Sequence, residues 1–181
     1  QGRTGTTREK DTGLMSKNTL IRLRNFVLLT LVQVLIFSRI HLFGYVTAYI
    51  YLIFILKLPR HTSVNALMLW GFLFGITVDI FCDTPGMNAA AATAMAFARN
   101  LFLSTFTHKG LPDDFIPGAN SIKWGSYIVY SLMCITLFYT LLFLLELFTV
   151  SHITPLLISI SGSTLLTMFF VIVTECFSFR R

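Results

Sequence analysis

The sequence predicts an all-α polytopic membrane protein: a transmembrane helical bundle of six spans, with five as the alternative. Three observations carry that prediction. Of 181 residues, 55% are hydrophobic and 12% charged, and the mean hydropathy is +0.74. Soluble domains carry about 25% charged residues, so half of the usual solvent-facing chemistry is missing. The charges are also segregated, with long apolar blocks separated by short polar ones. Finally, six spans of roughly 20 residues would take about 120 residues, which leaves no room for a catalytic domain outside the membrane.

The elements follow in chain order. Residues 1–14 are polar and hold no hydrophobic run, and Met15 opens Ser16-Lys17-Asn18 as a natural start. The first 14 residues are therefore expected to be an upstream or non-native tail, with residues 15–181 forming one transmembrane domain. N-terminal sequencing of the native protein checks this. Asn25–Ile40 reads as a first span, interrupted by Gln33, and Leu42–Leu56 as a second after a tight turn at Arg39-Ile40-His41. Val64–Phe81 is a third and Met87–Phe106 a fourth. Thr107–Lys123 contains Gly110, Pro112, Pro117 and Gly118, so it is read as an irregular loop. Tyr127–Val150 and Pro155–Cys176 are the fifth and sixth spans.

Charge placement fixes the expected orientation. With six spans and an inside N-terminus, all the Lys and Arg residues except Arg39 fall on the cytoplasmic side, Lys57, Arg60, Arg99, Lys109 and Lys123 among them. Cytoplasmic loops carry such an excess, so both termini are expected inside a cell inner membrane. The net charge of +6 has the same origin, and no aromatic-basic surface for nucleic acid is visible. The lipid bilayer is the expected environment.

Motifs for chemistry are absent. Cys82, Cys134 and Cys176 are odd in number and widely spaced, and His41, His61, His108 and His152 sit in four separate connectors. Neither set has metal-ligand spacing, so no metal and no cofactor are expected. There is no G-x-S-x-G, H-E-x-x-H, P-loop or G-x-G-x-x-G, and the histidines lie away from the serine-rich sixth span. The chain is not expected to be an enzyme.

Packing residues are more telling. Helices in lipid associate through small residues and polar groups. Gly71, Gly75 and Asp79 are spaced i, i+4, i+8 and share one helical face. The fourth span offers Ala89 to Ala92, then Ala94, Ala96 and Ala98, and the turn Asp83-Thr84-Pro85-Gly86 joins the two. A tight hairpin is expected, with Gly71, Gly75, Ala89 and Ala92 at its seam and Pro85 and Gly86 in its turn. Gly162 is the corresponding packing residue of the sixth span. A carboxylate within a span costs about 2.5–3.5 kcal/mol on insertion scales, so it normally has a partner. Asp79, Asp83 and Glu146 all fall towards the outer face, where Arg39 is the lone cation. A cluster of Arg39 with Asp79 or Glu146 is expected. Glu175 is expected to reach Arg180 or Arg181, or to snorkel to water. A proton or substrate path would need more polar residues than Gln33, Thr77 and the series Ser159, Ser161, Ser163, Thr164 and Thr167, which at this density more often join helices.

Three stretches carry a family likeness: Leu58-Pro59-Arg60-His61, the helix with Gly71, Gly75 and Asp79, and Thr84-Pro85-Gly86-Met87-Asn88-Ala89. Together they resemble the rod shape-determining protein MreD family, from about Met15 to the end. Asp83 departs from it, since many members carry a small residue or glycine there. The resemblance implies a non-enzymatic membrane scaffold of the bacterial cell-elongation complex. Such proteins bind MreC, a single-span protein, and sit with MreB, RodA and the transpeptidase that build lateral peptidoglycan. The family is also similar in fold to the S components of energy-coupling-factor transporters, so the alternative is a subunit binding a small vitamin-like substrate. S components typically present small residues on their first span. Phe26 to Gln33 contains no A-x-x-x-A, which disfavours that alternative.

Overall fold

A computed structural model describes residues 48–84, 86–107, 115–119, 121–147 and 153–179, together with Arg24, Leu28, Leu31 and Gln33. Those residues are helical or irregular, with no strand among them. Five helices are named here: α1 (Leu52–Leu56), α2 (Val64–Cys82), α3 (Met87–Phe106), α4 (Trp124–Leu147) and α5 (Ile153–Phe179). Of these, α2, α4 and α5 each contain a stretch long and apolar enough to cross a membrane.

Each boundary has a local cause. Ser63 caps α2 by accepting the Ala66 amide on its Oγ at 3.4 Å. At the other end Asp83 adopts the left-handed conformation, φ 55°, and its N–H bonds back to the Asp79 carbonyl. Gly86, with φ 76°, then turns the chain into α3. Pro155 lies in the first turn of α5, where its missing N–H leaves no helical bond unmade.

The distribution of polarity is inverted relative to a soluble bundle. Ile80, Phe81, Leu165, Phe169 and Phe177 are exposed, the last at 75%, whereas Arg99 is 0% and Glu175 4% exposed. Large apolar side chains outside and ionised ones inside are the arrangement lipid selects, because a charge in hydrocarbon must face the protein. The protein is a membrane protein. Sequential helices pack as neighbours: α2 on α3 most extensively, then α3 on α4 and α4 on α5, while α1 touches both α2 and α3.

Two of the expected spans look different. The fourth, found as α3 with the expected bounds, is long enough to cross but falls short in hydropathy. It is alanine-rich and carries Asn88, Arg99 and Asn100, polarity that its position between α2 and α4 covers with protein. The second expected span is not a continuous helix in its described part. Ala48–Tyr51 is non-helical, and helix follows for five residues only, every one of them buried. Hydropathy does not distinguish a stretch covered by protein from one covered by lipid, and this segment has protein on all sides. We call residues 48–60 the strap. The first span lies almost wholly outside the described residues, as do residues 1–14 and the turn at Arg39.

Candidate functional site

The polar chemistry of the described residues falls into three groups, and the first is the α2–α3 turn. Gly86 is the N-cap of α3 and has no side chain with which to satisfy the free amides of the first turn. Asp79 does so from the preceding helix. Its Oδ2 accepts the Ala89 amide at 2.9 Å, and its Oδ1 accepts the Asn88 amide and the Asn88 Nδ2, both at 3.0 Å. The Thr84 hydroxyl donates to the same Oδ1 at 2.5 Å, and the Thr84 amide donates to the Asp79 carbonyl at 3.1 Å. The carboxylate thus lies where the α3 dipole is most positive.

Below this cap the two helices meet at backbone distance. A Cβ on Gly75 would stand 2.6 Å from the Asn88 carbonyl oxygen and would overlap Ala89 Cα. One on Gly71 would stand 2.7 Å from the Ala92 carbonyl oxygen and 3.1 Å from Ala96 Cβ. Gly71, Gly75, Asp79, Ala89 and Ala92 therefore belong to one seam.

The second group pins the strap. Non-helical backbone at bilayer depth survives only where protein satisfies its polar groups. Gln33 donates from Nε2 to the Ala48 carbonyl at 3.0 Å and accepts the Ile50 amide on Oε1 at 2.8 Å. The Tyr49 amide donates to the Tyr139 hydroxyl at 3.3 Å, and that hydroxyl lies 2.6 Å from Thr167 Oγ1. Tyr51 stacks on Phe74 with centroids 5.4 Å apart. At the far end Arg99 donates from one terminal nitrogen to the Leu56 carbonyl at 3.2 Å and to the Leu58 carbonyl, and from the other to Asn100 Oδ1 at 3.1 Å. The Tyr130 hydroxyl donates to the Leu56 carbonyl at 3.4 Å. One arm of the guanidinium thus serves the Leu56 carbonyl, at the end of α1, and the Leu58 carbonyl just beyond it.

The third group lies at the end of the bundle opposite the α2–α3 turn. Lys57 Nζ is 2.9 Å from Glu175 Oε2, and the Ala119 amide donates to Glu175 Oε1 at 2.7 Å. The Arg60 amide donates to the Phe115 carbonyl at 3.1 Å, with the Arg60 guanidinium 5.9 Å above the Phe115 ring.

No protein-family model, curated protein or solved structure matches this chain.

The expected site residues are distributed as follows. Asp83 is exposed at the end of α2, and Glu146 is partly buried in the last turn of α4. Arg39 and Pro85 lie outside the described residues, and so does the expected cluster on Arg39. Gly162 is partly buried on α5. Arg99, counted among the cytoplasmic-side cations, is fully buried inside α3 and donates to strap carbonyls. One expectation is corrected. Arg180 and Arg181 lie outside the described residues, and Glu175 does not snorkel to water. It turns inward to Lys57 and Ala119. Sequence reasoning passed over Lys57, Asn88 and Arg99 as site residues. Arg99 had a usable signal, a cation 12 residues into an alanine-rich span. The Asn88 and Ala119 donors had none, because their contacts are set by the tertiary fold.

Among the described residues, no three His, Cys, Asp or Glu side chains lie close enough together to hold a metal. Asp79, Arg99 and Glu175 are all engaged with backbone groups, which suits them to holding elements in place.

Proposed function

We propose that this protein is a non-enzymatic scaffold subunit of the bacterial cell-elongation machinery, of the MreD kind. On this reading it binds an MreC-like single-span protein and acts beside MreB, RodA and the transpeptidase. It is a six-span protein of the inner membrane with both termini cytoplasmic, and the α2–α3 turn faces outward. One observation carries the reading. The motif residues Gly71, Gly75, Asp79, Thr84, Gly86, Asn88 and Ala89 form one hairpin in which each has a packing or capping task. A rigid hairpin with its carboxylate fully engaged suits a protein whose work is to present helix surfaces. The experiment is affinity capture from mild detergent with mass spectrometry of the partners. An MreC-like single-span protein should be recovered; its absence alongside a retained vitamin-like compound would favour the alternative.

That alternative is an S-component-like transporter subunit, and a separate observation favours it. The buried face of α5 carries Ser159, Ser163, Thr164 and Thr167, and buried Thr164 Oγ1, Tyr51 Oη and Asn88 Oδ1 have no hydrogen-bond partner among the described residues. Buried polar atoms of this kind are groups that a small polar ligand could satisfy. The scaffold reading is preferred because the quoted motif falls on the hairpin and not on this face.

A further inference from the structure

Three segments distant in sequence converge on Glu175. Lys57 comes from the strap, Ala119 from the loop at 115–119, and the carboxylate itself from α5. Gly118 lies directly over it, so close that a Cβ there would stand 2.8 Å from Oε1. The Glu175 side chain is 5% exposed, while that of Lys57 keeps 24%. The Lys57 side chain is therefore reachable from outside and that of Glu175 is not.

The two bonds depend on one charge, so neither is independent of the other. A carboxylate this deeply buried is held inside by its compensating partners. Without the ammonium it has no countercharge there and swings outward, and the Ala119 amide loses the charge-assisted acceptor that ties it to α5. The reverse holds as well. Lifting the loop admits water to the carboxylate, and attraction to Lys57 falls as the local dielectric rises.

We propose that Glu175 is a latch that couples the 115–119 loop to the strap, so that displacing either one loosens the other. Anything that binds and moves the loop then acts on a segment buried between the helices. A perturbation starting at the strap reaches the loop with equal strength, since such coupling is reciprocal.

Hydrogen exchange on the full chain in detergent micelles tests this. Lys57 pairs with Oε2 and the Ala119 amide bonds to Oε1, yet Lys57→Met should speed exchange at the Ala119 amide by about tenfold, within the usual range of coupling factors. Lys57→Arg, which keeps the cation, should stay within about twofold of the parent. Unchanged Ala119 exchange in Lys57→Met, with α2 and α3 still protected, overturns the latch. Gly118→Ala asks the question from the loop side by pressing a methyl group against Oε1. Faster exchange at the Lys57 and Leu58 amides supports the latch, the Arg60 amide being bonded to Phe115 directly. Should Lys57→Met not fold, parent-like exchange at Lys57 and Leu58 in Gly118→Ala overturns it instead.

Discussion

Asp79 performs for Gly86 the task that an N-cap side chain would normally perform. The carboxylate reaches from the last turn of α2 to the Asn88 and Ala89 amides at the start of α3, 3.0 and 2.9 Å away. One residue thereby ends one helix, through its carbonyl, and begins the next.

Removing that carboxylate should loosen the hairpin. Asp79→Leu leaves two first-turn amides, the Asn88 amide group and the Thr84 hydroxyl without their acceptor, at a cost of roughly 3 kcal/mol. Asp79→Asn keeps one acceptor oxygen and should cost less, about 2 kcal/mol. Thermal unfolding in detergent measures both. If the scaffold reading is right, partner recovery should fall in the same order.

The glycine seam makes a sharper steric prediction. Gly75→Ala places a methyl group against the backbone of Ala89 and Asn88, which cannot rotate away, so about 3 kcal/mol should be lost. Gly125 on α4 has nothing within 4 Å of its would-be Cβ. Gly125→Ala should then change stability by no more than about 0.5 kcal/mol. Equal melting temperatures for the two variants would refute the close packing.

Arg99 should tolerate lysine poorly. Arg99→Lys keeps the charge but reaches fewer of the acceptors that the fork now serves, at a cost of about 1–2 kcal/mol. Arg99→Met leaves the Leu56 and Leu58 carbonyls buried with less donor support and should cost about 3 kcal/mol. Faster hydrogen exchange across residues 52–58 in both variants, with the α2–α3 hairpin unaffected, is the expected pattern.

Gln33 supports the other end of the strap. Gln33→Leu leaves the Ala48 carbonyl and the Ile50 amide without a partner, and roughly 2–3 kcal/mol should be lost. Protection of the Ile50 amide from exchange reports the effect directly. A Gln33→Leu protein with Ile50 exchange as slow as in the parent would show that another group holds the strap.

Local patterns were legible in the sequence, and long-range polar contacts were not. The bounds of α3 and the seam of Gly71 and Gly75 against Ala89 and Ala92 follow from spacing along two helices joined by a short turn. The partners of Asp79 escaped because charge counting searches for a cation, whereas its described donors are uncharged groups of the next helix. Arg99 reads only as one of the cytoplasmic-side cations, and Glu175 is expected at the terminal arginines or in water, because charges near span ends usually face out. Both turn inward to backbone groups 41 and 56 residues away in the chain. The break in the strap was illegible for another reason: hydropathy is the same whether an apolar stretch is helical, as Leu52–Leu56 is, or irregular, as Ala48–Tyr51 is.

The strap also bears on how the protein is made. Helices such as α2 and α4 are apolar enough to partition from the translocon into lipid on their own. Leu52–Leu56 is too short for that, and the backbone on its N-terminal side would be costly to leave bare in hydrocarbon. Part of what holds the segment comes from Arg99, Tyr130 and Glu175, all later in the chain. Completion of the fold therefore waits for synthesis of α5, and a nascent chain stalled before that helix holds its central piece incompletely seated, a natural point for quality control to intervene.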